Sequence, residues 1–152
     1  MQLLVITNNP DNASFRQRIG IHLDLLRVRG IDTRVARLPA GILERRRLFA
    51  TAKDSDGVLL HRKVLNTLDG WWLRHCGRKV IYDFDDAVMY SDSRPERDSR
   101  IRLGRFRRSV APSHMVLAGN DYLAEHARRY CRNIQVVPTA LELRPYRIEA
   151  QR

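Results

Sequence analysis

Lysine is nearly missing from this chain. Only Lys53, Lys63 and Lys79 occur among 28 basic residues, so arginine carries almost all of the positive charge. Cysteine is as sparse. Cys76 and Cys131 form no Cys-x-x-Cys pair and no metal-ligand spacing, which leaves free thiols in a reducing compartment as the expectation and argues against a disulfide framework or a metal centre. No apolar run approaches the roughly 20 residues of a membrane-spanning helix. The early run Leu3-Leu4-Val5-Ile6 is short and has no basic leader, so it does not read as a signal peptide. Together these absences point to a cytoplasmic protein. The glycine-rich fingerprint that cradles a dinucleotide is missing after that run, and no cofactor is expected.

What is present is a chain of 152 residues, 43% hydrophobic and 30% charged, with a formal net charge of +11. That size and composition suit one globular domain, expected over residues 1–140, with 141–152 as a polar tail or linker. So basic a surface favours anionic partners: nucleotide diphosphates, lipid-linked phosphates, an acidic membrane or nucleic acid, the last being disfavoured here. The planar fork of arginine suits phosphate better than a point charge does. A plain compositional bias toward arginine explains the charge equally well.

Short apolar runs at Gln2–Thr7, Ile31–Leu38, Gly57–His61, Lys79–Asp83, Met115–Ala118 and Ile134–Val137 read as strands. Helical spacing fills the gaps. One helix is expected from Ser14, with Gln17 completing a capping box, to Gly30, its face made by Phe15, Ile19, Leu23 and Leu26. Others are expected at Glu44–Ala52, from Asn66 or Thr67 to about His75 with Leu68, Trp71 and Trp72 as packing residues, at Glu96–Val110 after a polar loop Ser91–Asp98, and at Tyr122–Cys131 with Asn120 as its cap. Such alternation specifies an α/β, Rossmann-like, doubly wound parallel sheet of about six strands with helices on both faces. The strand order expected is 3-2-1-4-5-6, which makes strands one and four neighbours and sets the Asn8–Arg18 segment opposite Asp83–Asp86.

The helix ending at Val110 is lopsided. Arg94, Arg97, Arg100, Arg102, Arg105, Arg107 and Arg108 surround a thin apolar line of Leu103, Phe106 and Val110. A basic amphipathic segment can lie on an anionic membrane, while the narrowness of the line favours a solvated helix that covers the sheet.

The stretch Lys79–Met89 runs from Val80, Ile81 and Tyr82 straight into Asp83, Asp85 and Asp86. Ligands of open parallel sheets sit outside the carboxyl ends of the strands, so carboxylates there suggest function. Capping, or pairing with an arginine, is the structural alternative. Arg16 and Arg18 fall in the first turn of the first expected helix, a poor position for the helix dipole and a good one for a bound anion. His61 closes the third strand and titrates near neutral pH, although a lone histidine is more often simply hydrogen-bonded in place.

An apolar strand ending in Asp-x-Asp has several uses. Phosphoryl transfer of the haloacid dehalogenase type needs a later lysine, and none follows Lys79. A phospho-receiver domain needs its acidic pocket after the first strand. The Asp-x-Asp of metal-dependent GT-A transferases holds a divalent ion against a diphosphate, but the segments before it differ here. Taken together, Ser14-Phe15-Arg16-Gln17-Arg18-Ile19, His61-Arg62-Lys63, Asp83-Phe84-Asp85-Asp86-Ala87, Gly119-Asn120-Asp121-Tyr122-Leu123-Ala124 and Val137-Pro138-Thr139 resemble the N-terminal half of retaining GT-B glycosyltransferases of the large group 1 family. The resemblance spans essentially the entire chain.

That resemblance implies a two-domain, metal-independent enzyme. Its N-terminal half binds the acceptor, a sugar or a lipid-linked acceptor, and its C-terminal half, not contained in these 152 residues, binds the nucleotide sugar. The chain is therefore expected not to transfer sugar alone. Carried over by residue, Arg16 and Arg18 approach a phosphate of acceptor or donor, His61, Asp85 and Asp86 line the acceptor pocket, and Asn120 and Thr139 face the cleft. Ser14 and Asp83 complete the expected substrate-binding set, and no general base is assigned. The rival expectation is a stand-alone basic α/β module that binds a polyanion or an anionic membrane surface, peripheral to the inner face, through Arg94–Arg108.

Overall fold

The computed structural model describes residues 1–90 and 99–139. Six strands, β1 (Gln2–Thr7), β2 (Asp32–Arg37), β3 (Gly57–His61), β4 (Val80–Phe84), β5 (Met115–Ala118) and β6 (Ile134–Val136), pair in parallel in the order β2-β1-β3-β4-β5-β6. Between them run α1 (Ala13–Arg18), α2 (Leu23–Val28), α3 (Ile42–Ala50), α4 (Thr67–Cys76), α5 (Arg100–Val110) and α6 (Asp121–Arg128). This is the Rossmann-like, doubly wound α/β architecture. The expectations for Ser91–Asp98, including Arg94 and Arg97, and for the tail 141–152 lie outside the described residues.

The strand order corrects the expected 3-2-1-4-5-6. β3 sits between β1 and β4, and the reason lies in its composition. Every residue of β3 is buried, whereas β2 alternates and exposes Asp32, Arg34 and Arg37. A strand that is apolar on both faces takes the interior of a sheet, and an alternating, charged one is suited to its edge. The topological switch point therefore falls between β1 and β3.

Pleating divides the core in two. Leu4, Ile6, Val58, Leu60, Tyr82, Phe84 and Val116 point to the side covered by Phe49 of α3, Leu73 of α4, Phe106 of α5 and Leu123 of α6. Leu3, Val5 and Leu59 point the other way, against Phe15 of α1 and the following Ile19. On the larger side Tyr82, Phe84 and Phe106 interlock, with Phe84 5.3 Å from each of the other two ring centroids.

Two local expectations are also corrected. The single helix from Ser14 to Gly30 is instead α1, a 3₁₀ turn at Gly20–His22, and α2. Ile19-Gly20-Ile21 joins a glycine to two β-branched residues, a weak helical stretch. Asn12, not Ser14, caps α1 by accepting from the Ser14 N–H at 3.4 Å. Gly30 does terminate α2, at φ 76°, a value that glycine adopts without strain. In α4, Leu73 is buried and Trp72 packs near Phe49, but Leu68 and Trp71 are 49% and 56% exposed. They lie three residues apart on a second stripe, away from the one that carries Gly70 and Leu73. Among the described residues no helix is long and apolar enough to cross a membrane.

Candidate functional site at the carboxyl edge

The carboxyl ends of β1, β3 and β4 bring Thr7, His61 and the Asp83–Asp86 segment to one rim, and His61 pairs in register with Asp83. Arg18, at the end of α1, joins them. Its Nη2 donates to Asp83 Oδ1 at 2.5 Å and its Nε lies 3.2 and 3.1 Å from the two carboxylate oxygens. Both side chains are almost fully buried. The remaining nitrogen, Nη1, donates to Val137 O at 2.8 Å and to Thr139 Oγ1 at 3.2 Å. One guanidinium thus ties the first helix to the fourth strand and to the exit from the sixth.

Beside this fork lies a chain of three hydrogen bonds. Ser14 Oγ donates to Asp85 Oδ2 at 2.7 Å, so its proton is committed there. His61 Nε2, 3.4 Å from Ser14 Oγ, must then be the donor of that pair, which leaves Nδ1 to accept from the Thr7 hydroxyl at 3.1 Å. The proton order is the reverse of a serine nucleophile's, whose hydroxyl gives its proton to the imidazole. Burial pushes the His61 imidazole down to about 4, opposed by the charge of Asp85 and reinforced by Arg62 and Arg18. His61 is therefore a neutral, fixed group at physiological pH. Burial also pushes the Asp83 carboxyl up, against the pull of Arg18.

Arg62 follows His61 with φ 54°, a left-handed backbone uncommon for a residue with a Cβ. That turn aims its guanidinium at the acidic segment. Nε lies 3.3 Å from Asp85 Oδ1, and Nη2 pairs with Asp86 Oδ2. Across the rim, the turn after β5 comes so near that a Cβ on Gly119 would lie 2.9 Å from Asp85 Cα and 3.1 Å from its Cβ.

These groups border an open cleft of about 480 Å³. Asn8, Asn9 and Asn12 line it from the loop after β1, His61, Arg62, Lys63 and Val64 from the end of β3, and Asp86, Val88 and Tyr90 from the segment after β4, with Arg102 of α5 closing one side. Burial lowers the Lys63 ammonium, and nearby Arg45 and Arg105 push it the same way.

Of the residues expected at a site, Ser14, Arg18, His61, Asp83 and Asp85 form one contact network, to which Thr139 is attached through Arg18 and Asp86 through Arg62. Two stand apart. Arg16 is exposed and donates to Asp11 O at 2.7 Å, and Asn120 spends its side chain on capping α6, accepting from the Leu123 N–H at 2.9 Å. Arg18 has each of its three nitrogens on a protein acceptor, so it organises the rim and is not open to a phosphate. Thr7 and the three asparagines were not singled out from the sequence, and Arg62 was quoted there only as the middle of His61-Arg62-Lys63, with no role of its own. Asparagines in the loop after a strand carry no signal beyond that of turn formers, while Arg62 was signalled by its place directly after a buried strand. Among the described residues, no group of three His, Cys, Asp or Glu side chains is arranged to hold a metal ion.

Compared with known proteins, the chain matches no family model and no curated sequence.

Proposed function

We propose that this chain is the acceptor-binding half of a nucleotide-sugar-dependent retaining glycosyltransferase of the GT-B group 1 type. The observation that carries the reading is the cleft at the carboxyl edge. Its volume of about 480 Å³ lies within the range of small-molecule sites, and its lining mixes donors, acceptors and an apolar wall. A sugar ring presents hydroxyls that both give and take hydrogen bonds, together with a less polar face. The amides of Asn8, Asn9 and Asn12 answer both demands, Arg62 and Lys63 donate, Asp86 accepts, and Val64, Val88 and Tyr90 offer the apolar side.

The motif order supports the same reading, since four of the five segments quoted from the sequence begin at the carboxyl end of a strand, and the fifth, Ser14–Ile19 on α1, reaches that rim through Ser14 and Arg18. In this reading the acceptor, a sugar or a lipid-linked sugar, occupies the cleft, and the nucleotide sugar is brought by a separate donor-binding half. Asp83 and Asp85, the Asp-x-Asp pair that in a GT-A site would hold a metal ion, are here paired with Arg18 and Arg62. His61 and Ser14 hold the floor of the site, and sugar transfer is not expected of these residues alone.

The test is a thermal-shift and binding panel with glycosides, lipid-linked sugar phosphates and nucleotide sugars. At least one acceptor class should raise the melting temperature, and the effect should be lost in Asn12→Ala/Asp86→Ala. Nucleotide sugars bound in this cleft, with no glycoside bound, would contradict the proposal.

A further inference from the structure

α4 and α5 lie side by side on one face of the sheet. The Leu65 N–H just before α4 donates to Ser109 Oγ of α5 at 2.9 Å, and Arg108 Nε reaches Leu65 O at 3.3 Å. Their sheet-facing sides are filled by Leu73, Phe106 and Val110. Their outward sides carry large apolar groups in water: Leu68 at 49% and Trp71 at 56% exposure on α4, and Ile101 at 69% on α5.

Arginines are interleaved with them. Arg74, Arg100, Arg105 and Arg107 are exposed, and among the described residues none makes an ion pair or a side-chain hydrogen bond. The one carboxylate on the two helices, Asp69, is buried and paired with Arg45 at 2.9 Å. Among the described residues, the face therefore has uncompensated positive charge. Between the two helices runs a groove of about 560 Å³, bordered by Trp71, Arg74, Arg107 and Arg108.

We propose that this α4–α5 face docks on an anionic lipid bilayer. Charge complementarity calls for an anionic partner, and the apolar groups decide which. Leu68 and Ile101 gain nothing from a polyphosphate chain, but they gain from entering the headgroup boundary, where an indole also partitions well. Arginines on the same helices can lay their stems along that boundary and keep their charge at the phosphates. Each contributes roughly fivefold to binding on an anionic surface. The surface lies outside the cleft, and the proposal does not depend on the glycosyltransferase reading.

The test is co-sedimentation of the full 152-residue chain with vesicles of phosphatidylcholine alone and of phosphatidylcholine mixed with phosphatidylglycerol, at low and high salt. The expected result is pelleting with the anionic vesicles only, a blue shift of tryptophan emission on binding, and weakening by salt. Arg74→Gln/Arg105→Gln/Arg107→Gln should lower partitioning on the order of 100-fold. Leu68→Ser/Trp71→Ser should also weaken it and should abolish the blue shift. An unchanged urea midpoint verifies that both variants fold. Failure to pellet with anionic vesicles, or pelleting indifferent to either variant, overturns the proposal. So does tighter binding to single-stranded nucleic acid that needs the arginines but not Leu68 and Trp71.

Discussion

Arg18 and Asp83 meet in a buried two-point fork, 2.5 Å at its closest, although they stand 65 residues apart and β3 separates the strands they follow and belong to. Two strand spacings are about 10 Å, a gap the long arginine side chain bridges from the end of α1. The first helix and the acidic segment thus share a rim even though their strands are not neighbours.

Removing one partner of the fork leaves the other charge buried and alone. Arg18→Met should cost about 3–5 kcal/mol, whereas Arg18→Met/Asp83→Leu, which removes both charges, should recover most of the loss. Urea unfolding of the two variants measures this. Equal destabilisation in single and double variants would mean that the loss comes from packing and from the bonds to Val137 and Thr139.

His61 makes stability depend on pH. The imidazole titrates at its ordinary 6.5 when unfolded and at about 4 when folded, where it is enclosed by Thr7, Ser14, Asp83, Asp85, Arg18 and Arg62. Between these values the unfolded chain binds the extra proton, so stability is greatest above 6.5 and falls as the pH drops toward 4. The loss should be on the order of 3 kcal/mol. Asp83 and Asp69, whose carboxyls burial pushes up, act in the opposite sense. Subtracting the profile of His61→Asn from that of the native chain isolates the histidine, and a flat difference across this window would refute the assignment.

The fold was legible because strand and helix periods alternate along the chain, and Gly57–His61 and Met115–Ala118 needed no correction. The strand order was misjudged for a reason visible afterward: Val58-Leu59-Leu60 is apolar at successive positions and belongs inside the sheet, while the alternating second strand belongs at its edge. The aspartates at the end of β4 were legible as a rim. Their partners were not, because with 28 basic residues the spacing alone cannot say which arginine meets which carboxylate. Ser14 read as a cap for a similar reason: a hydroxyl bonded to Asp85, 71 residues away, leaves no local trace.

Gly119 is a packing requirement of the site. A Cβ there would fall 2.9 Å from the backbone of Asp85, which cannot swing aside as a flexible side chain can. Gly119→Ala should therefore destabilise by roughly 1–3 kcal/mol and should displace the Asp85 and Arg62 amide resonances. A neutral effect on both would show that the β5 turn has room to retreat.

The most direct measurement is an amide chemical-shift map of the isotopically labelled chain titrated with the acceptor that the binding panel selects. The expected result is a set of perturbations confined to the carboxyl edge, at Asn8, Asn12, His61, Arg62 and Asp86. Perturbations confined to the opposite edge, around Gly57, Val80 and Met115, would contradict an acceptor site in the cleft.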